Sequence, residues 1–205
     1  MKKSMIFALL AMLVYLLTNI LMGVFARQLG LIDDEKQSSF VIKEKFHHLN
    51  VNIEINGYCQ LNITEGFSPT LSFEGISGSK IKEEHFVKND TLYFSVVDTA
   101  DRRYQHINIT TGSLESITIS SKNETNVSAL SRSDVLQVLL KGKVSYSQYN
   151  SRIDTLNIME GNARQISLDS CSIGYLNIYH NKANKINLNI SRSPLPVIRQ
   201  LDETE

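Results

Sequence analysis

Hydrophobic and polar residues alternate in short units that recur every ten residues along the C-terminal half of the chain. The clearest units are Leu156–Ile158, Ile166–Leu168, Leu176–Ile178 and Ile186–Ile190. Side chains alternate between the two faces of a strand, so each unit places its apolar residues on one face and an Asn or Ser on the other. A fixed interval that reuses one small pattern predicts the stacked strands of a repeat protein.

The same interval continues towards the N-terminus. Leu136–Val138 keeps the phase, Val144–Tyr146 repeats the pattern two residues early, and Ile107, Ile117 and Val127 mark a second regular set. A β-sandwich also spaces its strands by about eight to twelve residues, so spacing alone leaves that alternative open. The constancy of the interval favours a β-solenoid of ten-residue units over residues 98–191.

Residues 45–97 differ from this repeat in composition. Every Phe after residue 26 precedes residue 95, and larger aromatic side chains suit a wider core or a cap over the end of a coil. The segment Lys88–Thr91 lies between two apolar runs and predicts a hairpin turn. We therefore expect an N-terminal strand layer at 45–97, and a loose tail at 192–205, where prolines and acidic residues cluster.

The N-terminus carries a long apolar run. Lys2 and Lys3 precede residues 5–26, which contain no charged residue and would span roughly 33 Å as a helix, close to the thickness of a bilayer core. This pattern predicts an uncleaved transmembrane helix that contacts the lipid bilayer through residues 5–26, followed by a juxtamembrane spacer at 27–44. The positive-inside rule then predicts a single-pass membrane protein with its C-terminal domain in the periplasm or on the cell surface. Val24–Ala26 resembles a cleavage site, so a cleaved signal peptide stays open as the alternative.

Charge narrows the classes of partner. The 205 residues contain 21 Lys and Arg against 21 Asp and Glu. A balanced chain lacks the basic surface that nucleic-acid binding requires, so we expect no nucleic-acid partner.

The order of apolar and turn residues also resembles a known family. Phe46, Ile53–Gly57, Leu61–Thr64, Leu71–Gly75 and Phe86–Phe94, followed by a strand-rich repeat, are similar to the head GIN domains of auto-transporter adhesins, which are extracytoplasmic bacterial domains found especially in Bacteroidetes. The resemblance covers most of residues 45–191. It implies an all-β, right-handed β-helix with an N-terminal strand layer and an adhesin-like role, and it carries over no catalytic residue.

Candidate catalytic and metal-binding residues are scattered. His47 and His48 are adjacent on a predicted strand, so their side chains should diverge, whereas a zinc site needs three or four converging ligands. Cys59 and Cys171 would be permitted to form a disulfide outside the cytoplasm, but free or buried thiols are the favoured state. Asp154, Glu160, Asp169 and Arg152 are expected on a solvated rim. We predict no metal and no cofactor.

The outward positions of the repeat supply the candidate ligand-facing residues. If one turn contains two units, Asn157 and Asn177 share one ladder of strands, and Ser167 and Asn187 share the other, about 4.8 Å apart in each. Amide side chains at that spacing can hydrogen-bond along the stack or meet sugar hydroxyls. The predicted function is a non-enzymatic, adhesin-like binding or structural module whose partner is an envelope glycan or another envelope protein. A small carbohydrate-active enzyme is the alternative, although no paired acid and base are visible.

Overall fold

A computed structural model describes residues 12, 15–19, 21, 35–76, 81–98, 104–161, 165–180 and 187–202. The chain divides into two compact units. The first comprises Met1–Glu35 and Ile76–Gly78, and the second comprises Lys36–Gly75 and Ser79–Glu205. In the first unit, residues 12, 15–19 and 21 are helical.

The prediction of a single-pass membrane protein is wrong. A transmembrane span requires about 20 consecutive apolar helical residues. No helix among the described residues is long and apolar enough to cross a membrane. Within the predicted anchor at 5–26, the described helical residues are 12, 15–19 and 21, and the remainder lies outside the described residues. The periplasmic or cell-surface placement of the C-terminal domain was built on that span and loses its basis.

Fourteen strands form one sheet in the part of the chain that the structure describes, which confirms the all-β prediction. The strands are β1 Glu35–Val41, β2 His48–Ile55, β3 Tyr58–Glu65, β4 Thr70–Ile76, β5 Ile81–Lys88, β6 Thr91–Asp98, β7 Tyr104–Thr111, β8 Ser116–Ala129, β9 Arg132–Tyr149, β10 Arg152–Glu160, β11 Gln165–Asp169, β12 Ser172–His180, β13 Asn187–Ser191 and β14 Val197–Asp202.

The long strands β8 and β9 each take part in two ladders of hydrogen-bonded strands. Ladder A has the order β5, β6, β2, β8, β9, β10, β12, β14 and uses the N-terminal halves of β8 and β9. Ladder B has the order β1, β4, β7, β3, β8, β9, β11, β13 and uses their C-terminal halves. In β8 a register shift between Ser121 and Thr125 separates the two halves. Opposite Ser121, β9 has Gly142 with a φ of 89°.

The ten-residue interval is explained by the pairing of the C-terminal strands. Arg132 of β9 pairs in parallel with Arg152 of β10, which pairs with Ser172 of β12. Each partner is 20 residues further along the chain, so one repeat of the pairing contains two ten-residue units. The last strands are offset by 22 residues, since Tyr175 pairs with Val197. That these strands coil into a β-solenoid over residues 98–191, and with a right hand, stays a prediction.

Apolar side chains of both ladders form the core. Ile158, Leu168 and Ile178 are buried, as the alternation predicts, and Leu188 packs against the same core while remaining partly exposed. The predicted hairpin is confirmed, because β5 and β6 pair antiparallel and the turn residues Asn89 and Asp90 both have positive φ. Such a two-residue turn matches the twist of its strands.

Three predictions about irregular or exposed segments need correction. The range 27–44, predicted as a spacer, contains β1, and the range 192–205, predicted as a loose tail, contains β14 in parallel register with β12. Pro194 and Pro196 precede β14 and therefore remove no hydrogen bond from it. Glu160 was expected on a solvated rim, but only 1% of it is exposed, because β10 continues its alternation to that residue.

Candidate functional site

Polar residues from five neighbouring strands line up on the outer face of ladder A. His48, Ser116, Gln137, Asn157 and Asn177 occupy one register position on β2, β8, β9, β10 and β12. His48 Nδ1 lies 2.8 Å from Ser116 Oγ, and Asn177 Nδ2 donates to Asn157 Oδ1 over 2.7 Å. We call these five residues the amide column. Its two predicted members, Asn157 and Asn177, are half-buried and hydrogen-bonded to each other.

Apolar and aromatic side chains flank the amide column on both sides. Val135 and Tyr175 are 46% and 47% exposed, and Met159 and Tyr179 are half-buried on the other side. The Arg199 guanidinium lies 5.4 Å from the centre of the Tyr175 ring, within the range of a cation–π interaction. A tyrosine ring offers an apolar face and a polar tip, so the surface combines amide hydrogen bonding with apolar contact.

A charged groove of about 690 Å³ adjoins the amide column. The groove lies on one side of the column, towards the N-terminal ends of the strands. It is lined by His48, Ser113, Glu115, Ser116, Arg132, Ser133, Asp134, Val135, Gln137, Arg152 and Asp154. Its charged residues Glu115, Arg132, Asp134, Arg152 and Asp154 are all exposed. Because Gln137 belongs to the column and to the groove, the two form one continuous surface.

The other two predicted residues do not share a register position. Ser167 on β11 pairs with Ser147 of β9 and with Asn189 of β13, whereas Asn187 pairs with Gln165. Asn187 is exposed. The 22-residue offset of β13 moves the expected partner by two positions along the strand. Asn189 therefore replaces Asn187 opposite Ser167.

The outer face of ladder B carries a second asparagine pair that the sequence did not single out. Asn62 Nδ2 donates to Asn108 Oδ1 over 3.0 Å, and these residues are paired across β3 and β7. They line a shallow depression of about 460 Å³ together with Ser128 and Ser147. Their separation of 46 residues does not fit a ten-residue phase, which explains why the interval did not reveal them.

No protein-family model matches the chain, and no curated protein sequence matches it. Solved structures similar to it include a proposed cell adhesion protein from Clostridium sporogenes, with 14% identity and a TM-score of 0.35, over 83% of this chain and 100% of that chain. A proposed adhesin from Bacteroides fragilis is 13% identical with a TM-score of 0.40, over 82% of this chain and 97% of that chain. A proposed adhesin from Parabacteroides merdae is 12% identical with a TM-score of 0.38, over 82% of this chain and 96% of that chain. Likeness at this level carries no argument about the function of this chain.

The two thiols belong to the core, and neither lines the charged groove. Cys59 and Cys171 are buried and free, as favoured from the sequence. Burial raises the pKa of Cys59 to about 12 and also raises the pKa of Cys171 above its ordinary value. A nucleophilic cysteine needs a lowered pKa, so neither thiol suits covalent catalysis.

The histidines bind different partners. His47 Nδ1 lies 2.8 Å from Asp90 Oδ2, whereas the ring of His48 contacts Ser116 in the amide column. Within the described residues, no group of three or more His, Cys, Asp or Glu side chains could hold a metal ion. The chemistry available on this surface is therefore hydrogen bonding, apolar contact and exposed charge.

Proposed function

We propose that this chain is a non-enzymatic, adhesin-like module that binds an envelope glycan along the amide column and the charged groove. The observation that carries the proposal is the hydrogen-bonded pair Asn157 and Asn177 beside the exposed ring of Tyr175. A side-chain amide carries two N–H donors and one acceptor oxygen. Because Asn177 Oδ1 is buried, the pair would meet sugar hydroxyls through its remaining N–H groups and Asn157 Oδ1, while the tyrosine ring presents an apolar face to a sugar ring. Another envelope protein is the second partner that this surface suits.

We further propose that the rungs form a right-handed β-helix like that of the head GIN domains. Two features support this proposal: the parallel register at 20-residue intervals in β9, β10 and β12, and the antiparallel hairpin of β5 and β6. Stacked rungs of this kind create the extended surfaces that repeat proteins use for binding. The amide column crosses such rungs at right angles to the strands.

The alternative, a small carbohydrate-active enzyme, rests on the carboxylates of the groove. Glycoside hydrolysis requires two positioned carboxyl groups, one of which is kept protonated by its surroundings. Glu115, Asp134 and Asp154 line the groove but are all exposed, whereas catalytic sites exclude water from the reacting groups. The environment of these groups therefore favours binding over hydrolysis.

The proposal can be tested with the purified full chain and a panel of envelope polysaccharides. The variant Asn157→Ala with Asn177→Ala should abolish retention of the glycan that the natural chain binds. The matched control is Asn62→Ala with Asn108→Ala, which removes a similar hydrogen-bonded pair from ladder B. Asn62 also hydrogen-bonds to Gln60 and His106, so the control should lose at least as much stability and still keep binding.

Three results would overturn the proposal. Binding lost equally in both double variants, in proportion to their loss of stability, would make the asparagines purely structural. New reducing ends or unsaturated products in the incubated polysaccharides would support the enzyme alternative instead. Retention of an envelope protein but of no polysaccharide would replace the glycan by a protein partner.

A further inference from the structure

Three successive turns stack beside the charged groove. Asn150, Ser170 and Arg192 begin these turns, and their φ angles are 47°, 56° and 50°. Asn150 N donates to Asp169 O, and Ser170 N donates to Ser191 O, each over 3.0 Å. Positive φ is uncommon for residues other than glycine. We call these three stacked turns, which begin at Asn150, Ser170 and Arg192, the corner. The recurrence of positive φ at the same place in each turn makes the corner a regular feature of the stack.

Two arginines lie directly opposite each other next to this corner. Arg132 and Arg152 are paired in parallel register on β9 and β10, and both are exposed. Neither guanidinium forms an ion pair with a carboxylate of the described residues, whereas Arg192 lies 3.3 Å from Asp169. Like charges directly opposite on neighbouring strands destabilise a sheet, so an anion between these two arginines would relieve a repulsion already present in the fold.

The hollow at this corner has the composition of an anion site. It has a volume of about 550 Å³ and is lined by Arg132, Asn150, Ser151, Arg152, Ser170, Cys171, Ser172, Arg192 and Pro194. Three of these residues are arginines and none is Asp or Glu. The exposed residues Asn150, Ser170 and Ser172 carry amide and hydroxyl groups beside the arginines. Arginine binds carboxylate and similar oxyanions through paired N–H groups.

We propose that this corner binds the carboxylate or sulfate groups of an acidic glycan, with Arg132 and Arg152 holding one anionic group between them. The inference rests on the proposed function, because a glycan is already assigned to the neighbouring surface. Arg132 and Arg152 line both the corner hollow and the charged groove, and the groove reaches the amide column at Gln137. A sugar chain on the column can thus place an acidic substituent at the corner.

The test compares an oligogalacturonate with its fully methyl-esterified, neutral form, using the full chain and calorimetry at several salt concentrations. The variant Arg132→Gln with Arg152→Gln should bind the acidic form about tenfold or more weakly, since charge-assisted hydrogen bonds are lost, and should show a smaller salt dependence. The matched control Lys43→Gln with Lys45→Gln removes the same charge from exposed residues outside the corner and should bind as the natural chain does. Without ligand, the arginine variant should melt at the same temperature as the natural chain or higher, because a repulsion is removed.

The outcomes separate this inference from the proposed function. Equal binding of the neutral and acidic forms, dependent on Asn157 and Asn177, would overturn the acidic-group inference and leave glycan binding standing. Equal weakening in the arginine and lysine variants would show an effect of net charge alone and would also overturn it. If inorganic phosphate binds as tightly as the oligogalacturonate, the site recognises a free anion and the glycan assignment fails. Failure to bind either oligosaccharide or any member of the polysaccharide panel would overturn both proposals.

Discussion

The assignment of inward and outward faces can be tested at two adjacent residues of β10. Ile158 is completely buried, and in ladder A it lies between Val138 and Ile178. Replacing Ile158 by Ala deletes three carbon atoms and leaves a cavity. Strands on both sides hold the backbone of β10 by hydrogen bonds, so the site can collapse little. The expected loss in the free energy of unfolding is therefore about 3–5 kcal/mol, in the upper part of the range for such changes.

The matched control is Asn157→Ala, on the opposite face of the same strand. Asn157 is half-buried, and Ala at this position removes its 2.7 Å hydrogen bond with Asn177. The expected loss is about 0.5–1.5 kcal/mol. Urea unfolding of the full chain, followed by circular dichroism, measures both variants against the natural chain. Equal losses, or a larger loss for Asn157→Ala, would refute the assignment of faces.

Two further predictions concern the backbone and the core. Gly142→Ala should lower the melting temperature far more than Gly112→Ala. A Cβ on Gly142 would lie 1.9 Å from Ser121 O at a φ of 89°, whereas a Cβ on Gly112 meets nothing within 4 Å. Equal melting temperatures for the two variants would contradict the close approach of β8 and β9. Burial raises the pKa of Cys59 from 9.0 to about 12, so its thiol favours the folded state below pH 9 and this stability is lost as pH rises from 9 to 12. Urea unfolding at pH 8 and pH 11 should show a smaller decline for Cys59→Ala, and an equal decline would exclude the thiol as a cause.

The sequence predicted the repeat well because its period has a direct physical cause. Apolar residues at ten-residue intervals must enter the same core if two units complete one turn, and Ile158, Leu168 and Ile178 do so. The hairpin was also predictable, because Asn89 and Asp90 tolerate the positive φ that its turn requires. Local alternation and turn chemistry were sufficient for these features.

Features set by insertions between strands were not predictable in the same way. β13 and β14 are offset by 22 residues instead of 20, so Asn189 lies opposite Ser167 and Asn187 does not. The alternation of a strand has a period of two, so a shift of two residues keeps every side chain on its expected face. Only the neighbour across the ladder changes. A pattern of faces therefore cannot reveal such a shift.

The charged groove did leave a signal in the sequence. Arg132-Ser133-Asp134 and Arg152-Ile153-Asp154 repeat Arg-x-Asp at an interval of 20 residues. Apolar periodicity defines a core, whereas a period in exposed charges defines none, so the charged residues alone predict only a solvated rim. Charges repeated at the 20-residue interval of the strand pairing become neighbours, as the pairing of Arg132 with Arg152 shows.

The same repeat limits the length of the charged surface. On β12 the positions equivalent to the Arg and Asp are Ser172 and Gly174. A Cβ on Gly174 would lie 2.8 Å from Asp154 O. This close approach of the two backbones leaves no room for a third acidic side chain. Paired charges therefore occupy two neighbouring strands, about 5 Å apart. Under the proposed function, a binding site of that size gains its attachment strength by repetition along a polymer or among many copies. A short charged surface of this kind agrees with the proposed binding role, which does not require a long cleft along the polymer.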